Sequence, residues 1–231
     1  MVHAESPSWC GLLMALWLRM GLSVTQVVIV LVPAAGIVIA MLAAKLFSGA
    51  LFMDFAADPA FLAKVHPLTG ALSNLGVLLW HTTAVACLFT AAVLRTRGAR
   101  ESRFFYSAGL LSGYLAFDDM FMIHEYFVPR YIGVDEKFAV ALLGVVAMIF
   151  FFRFRQVILR SAFGLLVLSL GFLSLSVFID ALGGRFYDYS DWQYFAEDTP
   201  KWFGIACWCG YFLRFCYRES VDSDRLRPAA G

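Results

Sequence analysis

Long apolar runs joined by short polar links set the pattern of this chain. A helix needs about 20 apolar residues to cross the hydrocarbon core of a bilayer. About six stretches approach that length: Val24–Phe47, Gly70–Leu94, Phe104–Val128, Phe138–Phe152, Val157–Leu182 and Trp202–Tyr217. Helix-ending and helix-starting residues mark their edges. Pro129 follows the third run and Gly183-Gly184 the fifth, both read as stops. Thr199-Pro200 precedes the sixth and reads as an N-cap with proline in the first turn. Asp58-Pro59 predicts a short interfacial helix before the second run, and Ser190 with Gln193 another before the sixth.

The pattern predicts an all-α integral membrane bundle of about six transmembrane helices. Residues 1–23 read as an N-terminal interfacial segment, 24–217 as the transmembrane domain and 218–231 as a disordered tail. Met1 to Ser8 carries Glu5 and no Lys or Arg, so it does not read as a secretory signal, and Trp9 to Met20 contains Arg19, which suits an interfacial helix. Arginine placement predicts the orientation. Arg95, Arg97, Arg100 and Arg103 follow the second run, Arg153, Arg155 and Arg160 follow the fourth, and Arg214, Arg218, Arg225 and Arg227 follow the sixth. These three regions fall on one face, which puts both termini in the cytoplasm of a multi-pass cell-membrane protein.

Composition sharpens the membrane reading. The chain is 61% hydrophobic and 15% charged, against about 25% charged for a soluble domain, so the excess apolar surface must meet lipid. A net charge of +1 gives no reason to expect nucleic acid as a partner. The bilayer is the partner the composition demands, and it leaves room for a homo-oligomer. Cys10, Cys87, Cys207, Cys209 and Cys216 lie in or beside apolar runs and read as small hydrophobic fillers, with no disulfide expected.

Candidate chemistry lies on the second and third runs. An ionisable side chain at the bilayer centre costs roughly 2.5–3.5 kcal/mol on insertion scales, so each needs a reason. The second run carries His81; the third carries Asp118, Asp119, His124 and Glu125; Asp180 ends the fifth. At about 1.5 Å per residue, His81, Asp118 and Asp119 fall in one layer near the midplane. Asn74, His124, Glu125 and Asp180 fall in a second layer, roughly 12–16 Å further out. Asn74 and His81 share a helical stripe, as do Asp118 and Glu125, with Tyr114 nearby. Two antiparallel helices docked on those stripes would set His81 against Asp118 and Asn74 against Glu125.

Such a set suits a divalent metal (zinc, manganese or iron) held by His81, Asp118, Asp119, His124 and Glu125. It equally suits acid–base catalysis by Asp118, Asp119 and Glu125, with Asn74, Tyr114 and Asp180 as weaker substrate or gate positions. The aromatic and acidic stretch from Arg185 to Lys201 reads as an interfacial belt or as a lid, through which Glu197 or Asp198 would reach the outer layer. Retinal is not expected, because Lys201 sits at the outer edge of the sixth run. Haem is not expected, because His81 and His124 differ in depth by roughly 12 Å. No nucleotide motif is present. The leading expectation is a membrane-embedded, metal-dependent hydrolase or lipid-modifying enzyme acting on a lipid or other apolar substrate. The alternatives are a proton- or metal-ion-coupled transporter or channel component, and a non-catalytic assembly subunit.

Overall fold

The computed structural model describes residues 24–48, 51, 57, 59–186 and 191–225, and every element in them is helical. The predicted interfacial segment before residue 24, Cys10, the Ser190 cap and the tail beyond 225 lie outside the described residues. The chain divides into two compact units, Met1–Thr69 and Gly70–Gly231.

In the first unit, α1 (Val24–Ser48) follows the first apolar run closely, with Pro33 inside it. Its side chains from Leu31 to Ile39 are exposed and apolar on every face, as a helix immersed in lipid requires. The short α2 (Pro59–Ala63) begins at the proline of the Asp58-Pro59 signal, where a missing N–H costs nothing.

The second unit holds α3 (Ala71–Thr96), α4 (Ser102–Phe121), a π-helix π1 (Ile123–Ile132), α5 (Glu136–Arg160), α6 (Gly164–Phe186) and α7 (Asp191–Arg225). Helix α3 packs on α4 and α7, and α6 packs on α7. The core is aromatic: Phe104 stacks on Phe150 and Phe212 and meets Phe105 and Phe215 edge-on or tilted. Polar side chains tie the helices together through backbone carbonyls. Ser169 Oγ donates to Gly204 O at 2.8 Å, and Ser102 Oγ donates to Ala91 O at 2.9 Å.

Among the described residues, three helical stretches, Ala71–Thr96, Glu136–Arg160 and Gly164–Ala181, are long and apolar enough to cross a membrane. The α5 side chains Phe138, Leu142, Val145, Ile149 and Phe152 recur at helical spacing and are all exposed. Water would not tolerate such a stripe on a folded surface, whereas acyl chains cover it without cost.

Several predicted boundaries move. The third run is not one helix: α4 stops at Phe121, Met122 adopts a left-handed conformation (φ 48°, ψ 47°), and Pro129 lies inside π1 rather than after a span. The fourth helix reaches Arg160, taking in Val157 and bending at Phe154. It ends where the Ser161 hydroxyl donates to Ile158 O at 2.7 Å and meets Tyr211 Oη at 2.9 Å. Helix α6 passes through Gly183 and Gly184. Helix α7 starts at Asp191 and carries Pro200 internally. A proline inside a helix deletes the bond its own N–H would make and crowds the carbonyl four residues back; here Ser176 of α6 supports the neighbouring turn by donating to Glu197 O at 2.9 Å. The helix also runs on to Arg225, into the stretch read as a polar tail.

Two glycines set the closest helix approaches. A Cβ on Gly109 would lie 2.7 Å from Leu88 Cγ and 3.1 Å from the Ala84 carbonyl; one on Gly204 would lie 2.7 Å from Leu173 Cγ and 3.1 Å from its backbone nitrogen. Small residues at such contacts let membrane helices pack by van der Waals attraction alone. Gly113 has ordinary room, its nearest neighbour at 3.7 Å. Gly109→Val is therefore expected to destabilise the fold by about 1–3 kcal/mol, and Gly113→Ala to stay within about 0.5 kcal/mol of wild type. Denaturant unfolding of the detergent-purified variants measures both.

Candidate functional site

The break at Met122 builds the centre of the site. In a continuous helix, residues six apart lie about 9 Å apart along the axis and on different faces, so Asp118 and His124 could not meet. With α4 ended, the Met122 N–H bonds to Asp118 O, and the next residues are re-aimed. The Asp118 carboxylate then accepts twice from one residue: from the His124 backbone N–H at 3.1 Å and from its imidazole Nδ1 at 2.5 Å. Asp118 is 1% exposed, so its charge depends on these donors. A carboxylate on Nδ1 fixes the tautomer that carries the proton there and leaves Nε2 as the basic atom. That Nε2 stands 3.6 Å from Glu125 Oε1, on a side chain that is half exposed.

The adjacent Asp119 points to other partners. It accepts from Trp80 Nε1 at 3.0 Å and from Lys201 Nζ at 3.1 Å, tying α4 to α3 and α7. Trp80 packs edge-on against Trp208, whose Nε1 donates to the buried Ser112 Oγ at 3.0 Å. A small cleft of about 30 Å³ beside this group is lined by Asp119, Asp198 and Lys201 together with Ser73 and Gly76. The two adjacent aspartates thus serve two separate pairs, one with an imidazole and one with an ammonium.

The chain belongs to the family described as domain of unknown function DUF8692, matched over residues 28–215. No curated protein and no solved structure matches it. The matched span takes in Asp118, Asp119, His124, Glu125 and Lys201.

The expected His81–Asp118 and Asn74–Glu125 ladder does not form. The buried stripe of α3 runs through Val77, Trp80, Ala84, Cys87, Ala91 and Leu94, and His81, beside it, meets α4 at Phe117 rather than at Asp118. Asn74 is exposed. His81 keeps its Nδ1 3.1 Å from Val77 O on its own helix and rests its ring on Phe117. Tyr114 is about half exposed, and Asp180 is exposed. Among the described residues no three His, Cys, Asp or Glu side chains gather as a metal-binding group would. The five expected ligands are divided among three places: His81 against Phe117, Asp119 at Lys201, and Asp118 with His124 and Glu125.

Two residues of the site carry no role in the sequence reading: Trp80, next to His81, and Lys201, placed only at the outer edge of the sixth run. The Thr199-Pro200 pair, read as a helix start, lies within α7, and Lys201 follows it in the same helix.

Glu197, in the α7 turn ahead of the apolar stretch, has its pKa raised from 4.5 to about 7, first by burial and then by the Asp180 and Asp198 carboxylates. Between those two values the folded chain binds more protons than the unfolded one. Its contribution to stability is therefore complete below pH 4.5 and is lost as pH rises through about 7. The thermal midpoint of the purified protein should fall across that window, and the fall should flatten in Glu197→Gln. An identical pH profile in the variant would show that another group is responsible.

Proposed function

We propose that this is a multi-pass cell-membrane protein with six spans and both termini cytoplasmic, carrying an acid–base site that acts on a lipid or other apolar substrate. Val24–Ser48 and the helices from α3 to α7 supply those spans. The buried Asp118–His124 pair is the observation that carries the functional reading. A charged group is not kept inside such a bundle without use, and a carboxylate that orients an imidazole is the arrangement by which histidine becomes an effective base.

In this reading His124 Nε2 takes a proton from water. The water oxygen attacks an ester or amide carbonyl of the substrate, and the imidazolium returns the proton to the leaving oxygen or nitrogen. Asp118 orients the ring and stabilises its charged form. Lys201 lies within electrostatic range of both His124 and Glu125, and it favours the negative charge that develops on the carbonyl oxygen. The described side chains do not assemble a third metal ligand, so no step is assigned to a metal ion.

A second reading rests on the short spacing between His124 and Glu125. Protons passing from Glu125 to His124 would make the same pair part of a carrier. Vesicles containing the purified protein separate the two readings. Lipid products followed by mass spectrometry should appear with wild type and fall by about 100-fold or more in His124→Gln. A proton flux reported by an internal pH dye, lost in His124→Gln without any lipid product, would replace the enzyme with the carrier. If neither signal appears, the polar pair serves assembly and both readings fail.

A further inference from the structure

At the other end of α3 and α4 from the acidic site lies an open basin of about 1630 Å³. Arg95 from the end of α3, Arg100 from the link to α4, Arg103 from the start of α4, and Arg153 and Arg160 from α5 all line it. Glu101 is the one acidic side chain on its wall, so five arginines less one glutamate leave a formal charge of +4. Among the described residues none of the five arginines forms an ion pair.

Ordinary helix chemistry accounts for part of this. A cation at a helix C-terminus complements the macrodipole, which suits Arg95 and Arg160. Arg103 has no such reason: it sits in the first turn of α4, where a positive charge opposes the dipole. That turn forms one wall of the basin, and guanidinium groups gathered around one concavity are suited to meet phosphate oxygens. A general excess of cytoplasmic arginine spreads charge over the surface, whereas here three helix ends direct it into one concavity.

We propose that this basin binds a phosphate-bearing anion, of the chemistry presented by an anionic phospholipid headgroup or by free phosphate. It is independent of the acid–base pair and would stand if that pair had another role.

The test uses the full chain purified in a non-ionic detergent and titrated with short-chain phosphatidylglycerol, short-chain phosphatidylcholine and inorganic phosphate. Native mass spectrometry reads the lipids and calorimetry the phosphate. Two triple variants remove equal charge from the same face: R95Q/R103Q/R160Q inside the basin, and R155Q/R214Q/R218Q outside it. All six side chains are exposed, and thermal unfolding confirms that each variant folds; R103Q alone replaces the first triple should it not. Saturable binding of phosphatidylglycerol over phosphatidylcholine is expected, weakened on the order of 100-fold by the basin triple, at about a factor of five per arginine, and far less by the outer triple. Inorganic phosphate binding as tightly as the lipid makes phosphate itself the ligand, and lipid binding alone makes it the headgroup. Equal weakening by the two triples, or no saturable binding of either phosphate probe, overturns the site.

Discussion

One buried carboxylate organises the polar half of this bundle. Asp118 is removed from solvent, and an unpartnered charge at that depth would cost several kcal/mol. The fold meets that cost by ending α4 early. The left-handed residue Met122 interrupts the helix, and the chain returns a backbone N–H and an imidazole from His124 to the same carboxylate. The π-helix that follows is part of the same arrangement, since wide helical turns of this kind concentrate where a side chain must be re-aimed. A small conformational cost at one residue thus supports the burial of a charge, and the burial orients a base.

The second aspartate shows how the same problem is solved between helices. Asp119 gathers an indole N–H from α3 and an ammonium from α7. Trp80, Trp208 and Ser112 continue that contact into the aromatic core. The polar site and the packing of α3, α4 and α7 are therefore one structure: the interactions that position Lys201 also set how the three helices meet. Outside this region, the lipid-facing stripe of α5 needs no such precision, and its residues share only apolarity and helical spacing.

Much of the layout was legible in the sequence, because it follows from free energies of transfer. The first two apolar runs match α1 and α3 nearly residue for residue. The meeting of α3 with α4 was legible too: Asp119 accepts from Trp80, the residue beside His81. Facing was not. One residue around a helix is about 100°, and that rotation sets Trp80 against Asp119 and His81 against Phe117, with Asp118 left to His124. The histidine is the more polar of the two, but the buried stripe is set by the packing of Trp80, Cys87 and Leu94. The break at Met122 was hidden because nothing in Phe121-Met122-Ile123 signals a turn; it is imposed by the tertiary demand of Asp118. Pro129 and Pro200, which do carry local signals, both lie inside helices. There, the lost hydrogen bond and the ring's clash with the preceding turn weigh less than the packing around them.

The site depends on Asp118 holding the backbone of His124. Amide hydrogen exchange, read at the His124 N–H in detergent micelles, measures that bond alone. Wild type should protect this amide strongly, and Asp118→Ala should lose that protection while the core amides of α3 and α7 keep theirs. A His124 amide that exchanges equally slowly in both proteins would show that the turn at Met122 stands without the carboxylate, and the central constraint proposed for this site would be wrong.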